Sequence, residues 1–172
     1  MLQLDNLDAR TRQLMASEFE RDVSSGTLYI SGRLNTKGKL IYPDLLRTAI
    51  ESKDADWLAD SIRAGGLLNP TEQRKNGVVA RVPVTAADTL AEGEFSRFYI
   101  RALCCRALED GLPCLVACRC RAVENPRPES QAKVGSHVDP DALLADLRRN
   151  VGVETALGVP AGPNSGLAVR LP

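Results

Sequence analysis

The chain has few aromatic residues, a single histidine and no excess of charge, and these shortages exclude several classes of protein. Phe, Trp and Tyr make up 4% of the 172 residues, so a core must be built from Leu, Val, Ala and Ile. Basic residues number 22 and acidic residues also 22, so the basic surplus that is typical of proteins bound to a phosphate backbone is missing. We therefore do not expect direct binding to nucleic acid.

Long hydrophobic runs are missing too. No segment approaches the roughly 18 to 20 apolar residues that a membrane span needs. Residues 1–12 are polar and lack the apolar centre of a secretory signal. We expect no membrane partner and a protein that is made and kept in a cytoplasm.

Apolar periodicity predicts a mixed, helix-rich α/β fold. Residues 7–23 carry one apolar face and predict a first helix that Asp5 or Asn6 caps. Two more helices are expected over residues 43–50 and 54–66, and the longest over residues 86–110. Since residues 95–108 are apolar on nearly every side, we expect this helix to be the buried centre of the fold.

The segments that predict strands are shorter than those that predict helices. Residues 27–42 alternate in polarity around Asn35 and Gly38, which predicts a β-hairpin. Residues 78–84 predict an edge strand and residues 112–123 a further strand. Residues 125–138 are expected to be an extended connector, before a last helix with Asp139 as its cap and Pro140 at its first position. One compact body over residues 1–150 and a C-terminal arm over residues 151–172 are predicted.

The cysteines are the densest chemical feature, and three interpretations stay open. They lie within residues 104–120, at Cys104, Cys105, Cys114, Cys118 and Cys120. They are small buried hydrophobes, or they form disulfides within or between subunits, or Cys114, Cys118 and Cys120 hold a zinc ion. We favour the first, because tetrahedral zinc commonly takes two paired ligand motifs and this chain offers one.

No pattern in the chain specifies catalysis. A cysteine nucleophile would need His137, the only histidine, which lies far along the connector. The glycines do not form a phosphate-binding pattern. Arg97, Arg101 and Arg127 are able to bind an anion or to form ion pairs between subunits. We expect no catalytic residue, no cofactor and no enzyme activity.

The C-terminal arm is rich in Gly and Pro, and its self-burial is too small to offset the entropy lost on ordering. We therefore expect a surface outside the arm to hold it, either on the same subunit or on a neighbour. Leu167, Val169 and Leu171 alternate with Ala168 and Arg170, so residues 165–171, beginning at Ser165, are predicted to add a strand to an exposed sheet edge of a neighbouring subunit. We expect the arm to dock the subunit onto its neighbours in this way.

This plan of a helical body with extended arms resembles the neck and head–tail connector proteins of tailed bacteriophages. The body would be residues 4–150 and the arms residues 126–138 and 158–172. The resemblance implies a structural, non-catalytic subunit that forms a homo-oligomeric ring. It also implies portal, tail or capsid proteins as partners, and a virion location after assembly in the host cytoplasm.

A second class of protein stays open beside this one. It is a small intracellular adaptor, or a regulator that binds nucleic acid or a host protein, with a structural zinc site. Stoichiometric zinc in the purified protein would favour this alternative.

Overall fold

The computed structural model describes residues 2–74, 77–152, 155–160, 162 and 165–172. Within them the chain is mixed helix and sheet, as the sequence predicts. The elements in chain order are α1 (Ala9–Ser25), α2 (Thr36–Ser52), α3 (Ala55–Ala64), β1 (Thr71–Gln73), β2 (Val79–Arg81), α4 (Ala86–Glu109), β3 (Leu115–Arg119), α5 (Pro128–Lys133), β4 (His137–Val138), α6 (Pro140–Arg149) and β5 (Leu167–Arg170).

Helix α4 is the buried centre, and this prediction is confirmed. Every residue from 94 to 104 is buried. Helices α1, α3 and α6 all pack against α4. The α1 contact includes Phe19 and Phe98, whose ring centroids lie 5.9 Å apart in an edge-to-face arrangement.

The hairpin predicted over residues 27–42 is wrong, because α2 begins inside it. The Asn35 side chain accepts a hydrogen bond from the Gly38 amide at 2.8 Å, so this segment is the cap and first turn of a helix. Gly38 allows a close approach, since a Cβ there would lie 2.4 Å from the Leu67 carbonyl oxygen. Pro43 lies inside the helix and does not begin it.

The other helix boundaries follow the sequence more closely. Asp54 caps α3, and Asp139 caps α6 with Pro140 in its first turn. Helix α1 has Asp8 as its cap instead of Asp5 or Asn6, because the Asp8 carboxylate accepts from the Thr11 amide at 2.9 Å. None of the helices in the described residues is long and apolar enough to cross a membrane.

The described strands form two separate antiparallel sheets. Strands β1 and β2 form a two-stranded hairpin, and β3 is the central strand of a sheet with the order β4-β3-β5. The edge strand predicted over residues 78–84 is β2, and the strand predicted over residues 112–123 is β3. The connector predicted as extended over residues 125–138 instead contains the short helix α5 and strand β4.

The end of the C-terminal arm folds onto its own subunit. Strand β5 pairs with β3, with Val169 opposite Ala117 and Leu167 opposite Arg119. Leu167, Ala168 and Val169 are at most 1% exposed. A strand is present within residues 165–171, at Leu167–Arg170, as predicted. The predicted docking of this strand on a neighbouring subunit is wrong, because β3 of the same chain supplies the sheet edge.

Candidate functional site

A large cleft opens beside the first half of α4. It encloses about 1050 Å³. One wall is α4, a second is the segment of residues 29–33, a third is β1 with Asn69, and residues after α6 complete it. Its polar and charged lining residues are Tyr29, Ser31, Arg33, Asn69, Thr71, Glu72, Gln73, Thr89, Glu94 and Arg97.

Both arginines of the cleft already have partners. Arg33 donates to the two carboxylate oxygens of Glu72 at 2.6 and 3.1 Å. Arg97 donates to the carbonyl oxygens of Leu147 at 3.1 Å and of Asn150. The first pair fastens β1 to residues 29–33, and the second holds the end of α6 against α4.

Glu94 is the acidic group of the cleft that has no such partner. Its side chain is almost fully buried, and no hydrogen bond or ion pair from the described residues reaches its carboxyl group. Burial raises the pKa of Glu94 to about 7, and this outweighs the opposing effect of the positive charge on Arg97. The carboxyl group therefore changes charge near neutral pH.

A tyrosine hydroxyl near Glu94 is also without a partner. Tyr42 on α2 is fully buried, and its hydroxyl makes no hydrogen bond in the described structure. Burial, followed by the charge of Glu94, raises the pKa of this phenol well above its usual value. Within the described part of the chain, the Glu94 carboxyl group and the Tyr42 hydroxyl group thus make no hydrogen bond, which is rare for buried polar groups in native proteins.

The neighbouring charges of α4 form a closed ion cluster. Arg101 donates to Glu18 at 2.8 Å and to Asp22 at 2.6 Å, and Arg148 donates to Glu18 at 3.0 Å. Arg101, Glu18 and Asp22 are almost fully buried. This cluster joins α1, α4 and α6, so the structure does not leave Arg101 facing an anion or a neighbouring subunit, as the sequence interpretation allowed. Arg97 is likewise turned toward backbone carbonyls of its own chain.

The five cysteines are all free thiols in this structure. Cys104 and Cys120 are buried and Cys105, Cys114 and Cys118 half-buried, as small hydrophobes would be. Burial raises the pKa of Cys105 and of Cys120 to about 11. No disulfide joins them within the chain, and a bridge between subunits stays a prediction.

The structure does not assemble the zinc site considered from the sequence. Across the described ranges, no three His, Cys, Asp or Glu side chains are placed to hold a metal ion. Cys114, Cys118 and Cys120 are therefore not brought together as ligands. His137 lies in β4 opposite Val116, and its side chain is exposed.

The residues predicted to contact a neighbouring subunit serve their own subunit. Leu167 and Val169 are buried beside β3, and Leu171 packs against the core. The Leu171 amide donates to Asn6 at 3.0 Å, and the Ser165 carbonyl accepts from Arg119 at 2.6 Å. Arg170 is exposed.

The β1–β2 hairpin carries an exposed apolar surface that the sequence interpretation did not single out. Val78 is 54%, Val79 66% and Val84 91% exposed. Side chains of successive strand residues alternate between the two faces of the hairpin. One face is exposed to solvent and consists of Thr71, Gln73, Val79 and Arg81. Glu72 and Ala80, on the other face, are half-buried toward the body.

No family model, no curated protein and no solved structure matches this chain.

Glu94 and its cleft were also missed from the sequence, although a signal was present. Charged residues at positions 94, 97 and 101 recur inside the helix that is apolar on nearly every side, and buried charges need partners.

Proposed function

We propose that the protein is a non-catalytic structural subunit of a multi-protein assembly, in which copies of the chain associate head to tail into a ring. The observation that carries this proposal is the uncovered β1–β2 hairpin. A two-stranded hairpin is marginal in water unless a further strand or helix covers it. Here each strand is three residues long, and its outer face is exposed.

The unpaired strand edges favour association through the backbone. Among the described residues, strand β2 pairs with β1 alone, and β4 lies at the edge of the other sheet. The edge of a strand presents unpaired amide and carbonyl groups that a strand of another chain can bind. Because the two edges are different parts of one chain, joining them between copies gives a heterologous contact, which closes into a ring or extends into a filament.

Charge makes the two edges complementary. The hairpin region, residues 69–85, has three basic residues and one acidic residue, a net charge of +2. The β4 region, residues 128–141, has three acidic residues and one basic residue, a net charge of −2 with histidine neutral. Opposite charge across an interface favours encounter and fixes orientation.

Exposed apolar side chains lie near both edges. Val78, Val79 and Val84 are exposed on the hairpin, while Val134 beside β4 and Leu157 are each 39% exposed. Lys133 of α5 donates to the Leu157 carbonyl at 2.7 Å, which places Leu157 next to the β4 region. We infer that the hairpin of one copy covers the β4 region of the next.

A ring of small helical subunits without a catalytic site is the plan of the neck and head–tail connector proteins of tailed bacteriophages. The proposal therefore includes a virion location, assembly in the host cytoplasm, and portal, tail or capsid proteins as the outer partners of the ring. Strand β5 at the end of the C-terminal arm, which pairs with β3 of its own subunit, is not part of the contact.

A charge-swap experiment tests the contact. Arg81→Glu on the hairpin and Asp141→Arg in the β4 region should each reduce the oligomer measured by light scattering, because each places like charges together. The double variant, with both changes, should recover the oligomer.

Arg21→Glu is the matched control, since Arg21 is exposed on α1 away from both edges. It should assemble as the unmodified chain does. A monomeric unmodified chain at all concentrations, or single variants that assemble normally, would contradict the proposed contact.

A further inference from the structure

We propose that the cleft beside α4 is a binding site for a cationic hydrogen-bond donor, an amine or a guanidinium group, which the Glu94 carboxylate holds. This site shares strand β1 with the hairpin, since Thr71, Glu72 and Gln73 line the cleft. The argument for it uses Glu94 and the other cleft residues and does not depend on the proposed assembly. The same chemistry is found in a small diffusible amine and in a Lys or Arg side chain of a partner protein.

The size and shape of the cleft suit a small ligand. Its volume of about 1050 Å³ lies at the upper end of the range for ligand pockets. The floor and walls combine a half-buried aromatic ring, Tyr29, with hydroxyl and amide groups from Ser31, Thr89 and Asn69. These groups are able to orient a ligand that carries several donors.

The charge of the ligand follows from which lining groups are already paired. Arg33 and Glu72 neutralise each other, and Arg97 is bound to backbone carbonyls. Glu94 is 7% exposed and lies on the cleft wall, and no donor from the described residues reaches it. A buried carboxylate without a partner is costly, so the group that completes this site is a donor with positive charge.

The ring of Tyr29 offers a second contact that also favours a cation. Tyr29 lies close against Gly152, where a Cβ would be 2.3 Å from two of the ring carbons. Gly152 has a φ of +71°, which an L side chain rarely adopts, so the backbone there fixes the ring in place. A phenol ring and a carboxylate that line the same cleft are a suitable environment for an ammonium or guanidinium group.

The charge on Glu94 makes binding depend on pH in a defined direction. The charged and titratable groups around it are Arg97 and Arg101 of α4, Asp22 of α1, Tyr42 of α2, Tyr29 and Arg33 of the adjoining segment, and Glu72 of β1. As pH falls through about 7, Glu94 takes up a proton and loses the charge that binds the cation. Affinity should therefore rise with pH and level off above neutrality.

Calorimetric titration with agmatine, which carries both an amine and a guanidinium group, tests the site on the full chain. At pH 8 and constant ionic strength we expect binding that weakens about tenfold at pH 6, since one pKa unit changes the charged fraction about tenfold. Glu94→Gln should weaken binding at pH 8 by about tenfold or more and remove the pH dependence. Thr89→Phe, which adds a bulky side chain to the cleft lining without altering the carboxyl group, should weaken binding.

Glu51→Gln is the control, because Glu51 is an exposed carboxylate on α2 and does not line the cleft. It should bind agmatine as the unmodified chain does. A peptide with one arginine and blocked termini distinguishes the sources: tighter binding of the peptide indicates a partner side chain, and tighter binding of agmatine indicates a diffusible ligand. Absence of binding by both probes, or unchanged binding by Glu94→Gln, would overturn the proposal.

Discussion

At the scale of the residue, buried charged side chains have the largest expected effect on stability, and Arg101 is the clearest case. Its guanidinium group is 3% exposed and joins Glu18 and Asp22 of α1 to α4. Burying an ion pair gains little net free energy, but removing one partner leaves the other charge buried without compensation. Arg101 therefore matters more to stability than any surface ion pair does.

We predict that Arg101→Met lowers the free energy of unfolding by about 3 to 5 kcal/mol, the range found when one partner of a buried pair is removed. The loss arises because the buried carboxyl group of Asp22 is left without its guanidinium partner. Urea denaturation followed by circular dichroism measures it. Arg63→Met, which breaks exposed pairs with Asp60 and Asp88, should unfold close to the unmodified chain. Equal midpoints for the two variants would contradict this account of Arg101.

At the scale of the element, the cap of α2 is the feature on which prediction and structure differ most. Asn35, Thr36, Lys37 and Gly38 suit a hairpin turn and equally suit a helix cap followed by a first turn. Pro43 then favours a helix start over a helix interior, because proline lacks the amide that an interior position donates. Only tertiary packing decides between the two, through the fully buried Leu34, Tyr42 and Leu46.

We predict that Asn35→Ala costs about 1 to 2 kcal/mol of stability, since the side chain caps α2 and also donates to the Gly66 carbonyl at 2.8 Å. The midpoint of urea denaturation measures this loss. Thr85→Ala is the matched control, because Thr85 precedes α4 without a capping hydrogen bond from its side chain. If both variants lose the same stability, the Asn35 cap is not what holds the start of α2.

The sequence was sufficient to predict elements whose pattern lies within one segment. It was insufficient for contacts between residues that are far apart in the chain. The period of α1, the apolar middle of α4 and the Asp139–Pro140 start of α6 are all local, and they were predicted. The pairing of β5 with β3 and the placement of Glu94 in a cleft depend on contacts across the chain. A carboxylate in a buried helix was visible in the sequence, but whether an arginine reaches it was not.

At the scale of the whole molecule, the C-terminal strand completes the core. The chain returns to the body through Asp146, whose carboxylate accepts from the amides of Ala156 and Leu157 at 3.0 and 2.8 Å. Strand β5 then covers β3. Within the described part of residues 151–172, hydrogen bonds to the same subunit thus hold Leu157 and strand β5.

We predict that deleting residues 166–172 prevents cooperative folding instead of releasing a folded monomer. Full burial of a Leu or Val side chain contributes about 1.5 to 3 kcal/mol, and β5 supplies two such side chains and the hydrogen bonds of a sheet edge. A thermal melt followed by circular dichroism should lose its sigmoidal transition. Removal of Pro172 alone, which is exposed, should leave the melt unchanged. A cooperative melt of the shorter chain would show that β5 is dispensable.

The head-to-tail contact is tested most directly by amide hydrogen exchange measured at low and at high protein concentration. We predict that two separate segments, residues 71–84 and residues 129–141, become protected together as concentration rises, while α4 exchanges at the same slow rate throughout. Exchange in both segments that does not change with concentration, or protection of only one of them, would contradict the account.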